Sequence, residues 1–229
     1  MAGVNRVNPD EPASPPSLMI QTLTTEHFTL QGARSVVMSE INGRATIYLS
    51  AVSSSVVALA FVTSFSQDAD LVRGFSLVLL PLLSFMGFVT KERLIQLSYA
   101  DFQYHKAINR IRHAYVDVAP EAAHYLTLSI YDDLRGVAQS AVYRQGRRMS
   151  VLTTAQMIAV VNYVIVGVIG GILFDWLTGL SVFYPILFGI GVGLVVALVD
   201  YRITHQRWSE FLASTEIRFP SPPADQAAP

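Results

Sequence analysis

The chain has no cysteine among its 229 residues, which excludes disulfides, thiol nucleophiles and cysteine-held metals. Charge is also scarce. Asp, Glu, Lys and Arg make up 14% of the sequence, against about 25% in an ordinary soluble domain, and a net charge of −1 provides no basic surface for nucleic acid. The scarcity is uneven. Ala45 to Phe65 and Val151 to Phe174 contain no charged residue, while Gly74 to Thr90 and Leu177 to Val199 are shorter or punctuated but equally uncharged. At ~1.5 Å per helical residue, each of the longer runs reaches the ~30 Å of a bilayer's hydrocarbon core. No Asp, Glu, Lys, Arg or His stands in the middle of any run, which argues against proton-coupled transport and voltage sensing. Residues 1–40 lack the basic start and short apolar core of a secretory signal, so the first run is expected to direct insertion without cleavage.

What is present is apolar and arranged two and two. The apolar fraction is 52%, and the four runs flank a polar stretch over residues 91–150. The expected fold is an all-α polytopic membrane protein of four transmembrane helices, paired as two hairpins, with a cytoplasmic helical hairpin between spans two and three. Basic residues orient it. Arg6, Arg34 and Arg44 precede the first run, nine Lys and Arg fall between Lys91 and Arg148, and Arg202, Arg207 and Arg218 follow the last; only Arg73 is left elsewhere. The short connections carry Asp68, Asp70 and Asp175. The bias of Lys and Arg to the inner face therefore predicts a cell-membrane protein with both termini and the central stretch cytoplasmic.

Composition divides the chain further. Residues 1–23 and the end of 201–229 are rich in proline and small polar residues, and are expected to be disordered. Residues 24–44 read as a juxtamembrane helix, 45–90 as the first transmembrane hairpin, 91–150 as the cytoplasmic hairpin and 151–200 as the second transmembrane hairpin. Leu94, Tyr99 or Phe102, Ile108, Ile111 and Tyr115 recur at helical spacing, so span two is expected to run straight on into a long amphipathic helix. Ala119-Pro120-Glu121 signals a helix restart, because proline suits the first helical turn and an acid suits its positive end. A second helix is expected from Glu121 to about Tyr143.

Small residues four apart allow close helix packing in lipid. Gly167 and Gly171 form such a pair in span three, and Gly189 and Gly193 in span four. Asn162, an amide deep in span three, needs a partner inside the protein. Arg110, Arg112, Arg147 and Arg148 are candidates for a protein partner or a lipid headgroup. His105, His113 and His124, with Asp101 and Asp117, are the residue types a metal site would need; a solvated or salt-bridged face is the simpler reading, and no metal or other cofactor is expected. Asp132 and Asp133 look like paired carboxylates, but neighbours on a helix point about 100° apart, so no catalytic role is assigned to them.

Glu40 to Ala60 (EINGRATIYLSAVSSSVVALA) and Asn109 to Pro120 (NRIRHAYVDVAP) resemble segments of an uncharacterised family of small four-span bacterial, mostly actinobacterial, integral membrane proteins. The resemblance covers about residues 25 to 210 and implies fold and location, not an activity. The layout is also similar, in architecture alone, to small two-span effector modules of bacterial nucleotide-signalling defence systems. The expected role is non-enzymatic: a scaffold, or a module that binds a protein partner or another copy of itself. The alternative is an oligomeric pore opened by a cytoplasmic ligand and lined by the serines of span one.

Overall fold

The computed structural model describes residues 15–66, 68–141 and 153–223, and among these every regular element is helical. The long helices are α1 (Pro15–Phe65), α2 (Ala69–Val118), α4 (Thr154–Thr178) and α5 (Phe183–Ala213); a 3₁₀ helix (Pro120–Tyr125) and the short α3 (Leu134–Ser140) lie between α2 and α4. All four long helices are long and apolar enough to cross a membrane, as expected of a multi-pass membrane protein.

Local chemistry explains the element ends. Asp68 starts α2 by accepting hydrogen bonds from the amides of Asp70 and Leu71, and Thr153 caps α4 by accepting from the Gln156 amide. Gly179 ends α4 in the left-handed conformation at φ 62°, which a residue with a Cβ adopts at a cost. Pro185 sits in the first turn of α5, where its missing amide hydrogen leaves no helical bond unmade. Pro81 lies inside α2, which nevertheless runs as one helix.

Two expectations are corrected. Residues 15–23, assigned to a disordered tail, are helical; Pro15 suits a helix start, and Leu18 to Ile20 continue into the turn. Threonine is accommodated there because Thr22, Thr25 and Thr29 each return a hydroxyl hydrogen bond to the carbonyl four residues back. The second central helix is not continuous. After the 3₁₀ helix the chain leaves helical geometry until Leu134, and Asp132 and Asp133 use that stretch to hold a remote segment, as described below. By contrast, α2 does run unbroken from the second apolar run through the amphipathic stretch.

The chain divides into two compact units. Among the described residues, the small unit comprises 15–35, 103–141 and 218–223, and the span unit comprises 36–66, 68–102 and 153–217. In the span unit, Leu80, Leu83 and Ile165 form a buried cluster packed by Val52, Leu59, Val161 and Ile169, and Tyr99 stacks on Phe211 with ring centres 4.5 Å apart. The most apolar windows of α2 and α4 are each 28% buried, against 11% for α1 and 6% for α5. So α2 and α4 carry more of the interior, and the outer faces of α1 and α5 suit lipid.

Candidate functional site

The span unit is closed by contacts between backbones. A Cβ placed on Gly189 would lie 2.5 Å from the Gly167 carbonyl oxygen, and one on Gly167 would lie 2.7 Å from that of Gly189. Gly171 approaches the Pro185 carbonyl and Gly193 that of Tyr163 in the same way, at 2.9 and 3.0 Å. All four glycines picked out by spacing thus stand where α4 meets α5. Gly191 has open space around it, so it lies off the contact face.

A polar core crosses three helices beside this contact. Tyr48 of α1 is fully buried, and its hydroxyl donates to Oδ1 of the buried Asn162 on α4 at 3.5 Å. Gly87 of α2 faces both: an added Cβ would stand 2.5 Å from Asn162 Oδ1 and 2.7 Å from the Tyr48 hydroxyl. The Asn162 amide nitrogen finds no hydrogen-bond partner among the described residues, which raises the energy of this core.

Ionic chemistry begins where the apolar runs stop. Lys91, the residue after Thr90, pairs with Asp200, the residue after Val199, and Tyr163 donates its hydroxyl to the same carboxylate. The Lys91 side chain is only 8% exposed, so each charge depends on the other for its solvation. Around them, Glu40 accepts from Arg44 at 2.8 Å and from Arg93 at 3.0 Å, and these hydrogen bonds hold its carboxyl below the ordinary value. Arg207 binds both oxygens of Glu92 at 3.0 Å.

In the small unit the central polar residue is Asn109, with no exposed surface. Its amide nitrogen donates to the Tyr131 carbonyl at 2.7 Å, and its oxygen accepts from Ser140 at 2.8 Å and from Arg112 at 3.2 Å. Arg110 donates to Asp132 at 2.7 Å. Asp132 also accepts from the amides of Arg218 and Phe219, and its own amide donates to the Phe219 carbonyl. Burial alone would raise the Asp132 carboxyl, but the bonds from Phe219, Arg110 and Arg218 outweigh it and hold the group below its ordinary value. Asp133 caps α3 through the Gly136 amide and accepts from both the amide and the hydroxyl of Ser221. Arg135 donates to the Pro222 carbonyl, and His113 stacks on Phe219 with ring centres 3.9 Å apart. Residues 218–222 are thereby fastened to the loop before α3. On α1, His27 stacks on Tyr115; burial, then the Arg112 charge, lower its pKa.

The sequence-selected residues fall into distinct groups. The four glycines and Asn162 belong to the interior of the span unit. Arg110 and Arg112 are engaged with Asp132 and Asn109 inside the small unit, while Arg147 and Arg148 lie outside the described residues. Asp101 and His105 are buried, so of the solvated or salt-bridged face expected for them, the solvated form is not found. Among the described residues, no three His, Asp or Glu side chains are placed to hold a metal ion. Sequence reasoning missed Tyr48, Gly87, the Lys91–Asp200–Tyr163 group and the anchoring role of Asp132 and Asp133. The one visible signal was the position of Lys91 and Asp200 as the first charges after two apolar runs. Compared with protein-family models, curated proteins and solved structures, the chain matches none.

Proposed function

We propose that this chain is a non-enzymatic, multi-pass protein of a bacterial cell membrane. Its four spans form two helical hairpins, with both termini and residues 91–150 on the cytoplasmic side, and its small unit docks a protein partner or a second copy. The distribution of Lys and Arg supports the orientation, and four helices long and apolar enough to cross a membrane support the location. One observation carries the docking role. The charged and amide side chains of the small unit are turned inward, Asn109, Asp132 and Asp133 onto its own backbone and Arg110 onto Asp132, while large apolar groups face outward: Phe28 is 68% exposed and Tyr125 83%. A firmly held frame presenting aromatic side chains is the arrangement from which binding hot spots are built.

The test is photo-crosslinking in native membranes from Tyr125 and, separately, Phe28 of the full chain. A discrete adduct is expected, and twice the chain mass would identify a second copy. No adduct from either position would remove the docking role.

A second reading, an oligomeric pore, is favoured by one feature. Ser53 and Ser54 are exposed midway along the first apolar run, whereas Ser55 is buried, and outward hydroxyls there suit a polar path between copies. Ion flux through liposomes containing the protein, abolished by Ser53→Leu/Ser54→Leu, would establish it; ion-tight liposomes would exclude it.

A further inference from the structure

The span unit contains a cavity where α1, α2 and α5 come together. Its volume is about 600 Å³, and its lining combines the cations Arg44, Lys91, Arg93 and Arg207 with the apolar Phe88, Val89 and Ile203. Three of its residues mark a boundary. Arg44 immediately precedes the first apolar run, and Lys91 and Asp200 immediately follow the second and fourth, so the cavity lies where hydrocarbon gives way to headgroups.

Its charge is unbalanced. Four cations, Arg44, Lys91, Arg93 and Arg207, face three carboxylates, Glu40, Glu92 and Asp200. The shortfall is local: Lys91 has Asp200 and Arg207 has Glu92, but Arg44 and Arg93 share Glu40. Both of these guanidiniums are partly exposed, at 44% and 42%. They have donors to spare, since a guanidinium carries five N–H groups, and Arg44 directs only its Nε to Glu40 among the described contacts. Gln96, an exposed neighbour on the wall, accepts from Arg93 at 3.3 Å. The apolar groups in the same lining are open to the outside: Phe88 is 38% exposed, Val89 51% and Ile203 43%.

From this juxtaposition we propose that the cavity binds the phosphate of an anionic phospholipid, with the headgroup on Arg44, Arg93 and Arg207 and the start of an acyl chain against Phe88, Val89 and Ile203. Paired guanidiniums match phosphate oxygens in geometry as well as charge. The adjoining apolar wall selects a phosphate carried on an amphiphile over one in solution. The site is distinct from Arg110 and Arg112 and does not depend on what docks to the small unit.

The experiment uses the full chain in neutral detergent and counts bound lipid by native mass spectrometry. Phosphatidylglycerol, phosphatidylcholine and inorganic phosphate are offered at equal concentration. Phosphatidylglycerol should be retained at least tenfold more tightly than phosphatidylcholine, and inorganic phosphate should not displace it. Each basic residue near an anionic lipid contributes a factor of about five, so Arg93→Gln/Arg207→Gln should lose about 25-fold in affinity for phosphatidylglycerol. Arg202→Gln, which removes a charge from exposed α5 surface outside the cavity, should lose little. Gln96→Glu breaks no ion pair and places an anion on the wall; it should weaken retention several-fold while leaving thermal stability unchanged. Equal retention of the two lipids, displacement by inorganic phosphate, or the same loss from Arg202→Gln as from the double substitution would each overturn the proposal. So would undiminished retention in a folded Gln96→Glu protein.

Discussion

A single methyl group at Gly189 should force α4 and α5 apart. The added Cβ would stand 2.5 Å from the Gly167 carbonyl oxygen and 3.3 Å from its carbon. Restoring an ordinary contact of about 3.4 Å requires the two backbones to separate by nearly 1 Å, and neither backbone has a side-chain torsion that can relieve the clash. Overpacking of this kind costs about 1–3 kcal/mol, which lowers the folded-to-unfolded ratio by roughly one to two orders of magnitude. The control lies two residues away. Gly191→Ala adds the same methyl on the same helix into open space, and alanine is the better helix former. Unfolding both variants in mixed micelles with rising SDS, followed by circular dichroism, should show an early transition for Gly189→Ala and none for Gly191→Ala. Equal behaviour of the two, or an unchanged Gly189→Ala, would refute the described α4–α5 contact.

Other outcomes follow from the same geometry. Gly87→Ala should destabilise by about 1–3 kcal/mol, because both atoms it would strike belong to buried side chains; adding Asn162→Ala should recover part of the loss in the same SDS assay. Lys91→Met should cost about 3–5 kcal/mol by stranding Asp200, and Lys91→Met/Asp200→Leu should cost markedly less, since a buried pair is worth little over apolar replacements. In Asp132→Asn the segment at 218–222 should loosen, and trypsin should cleave after Arg218 at least tenfold faster, given ~1.5–3 kcal/mol for each hydrogen bond to a charged acceptor. The same segment should respond to acid. Because folding depresses the Asp132 pKa, its contribution is fully present above the ordinary value of 3.8; it fades as pH falls below that value toward the native one. Arg218 cleavage by an acid-stable Arg-directed protease should therefore accelerate below about pH 4, and no faster in Asp132→Asn than at neutral pH.

Much of the architecture was legible because it rests on local periodicity. The uncharged runs are the helices that can span a membrane, and the apolar stripe of Leu94, Phe102, Ile108 and Ile111 is buried along α2, as its spacing required. The glycines were legible for the same reason, since a four-residue repeat places small residues on one helix face. Lys91 and Asp200 were visible as boundary charges but not as partners, because they lie 109 positions apart in the chain and no pattern links such residues. The loop before α3 was misread for a related reason. Apolar residues from Ala122 to Val137 favour a helix locally, but Asp132 and Asp133 bind backbone amides 86 to 88 positions away, and those tertiary bonds override propensity. The glycine at 87 carried no signal of its own; its need is set by Tyr48 and Asn162 on other helices.

The absence of cysteine makes the decisive measurement a clean one. Single substitutions Asp70→Cys, Ala123→Cys and Ser181→Cys, each at an exposed position, introduce one thiol apiece into a chain with none. Intact cells are treated with a membrane-impermeant maleimide, before and after lysis. Four spans with an inward-facing small unit predict labelling of Asp70→Cys and Ser181→Cys in intact cells, and of Ala123→Cys only after lysis. Labelling of Ala123→Cys in intact cells, or protection of either of the other two, would contradict the account.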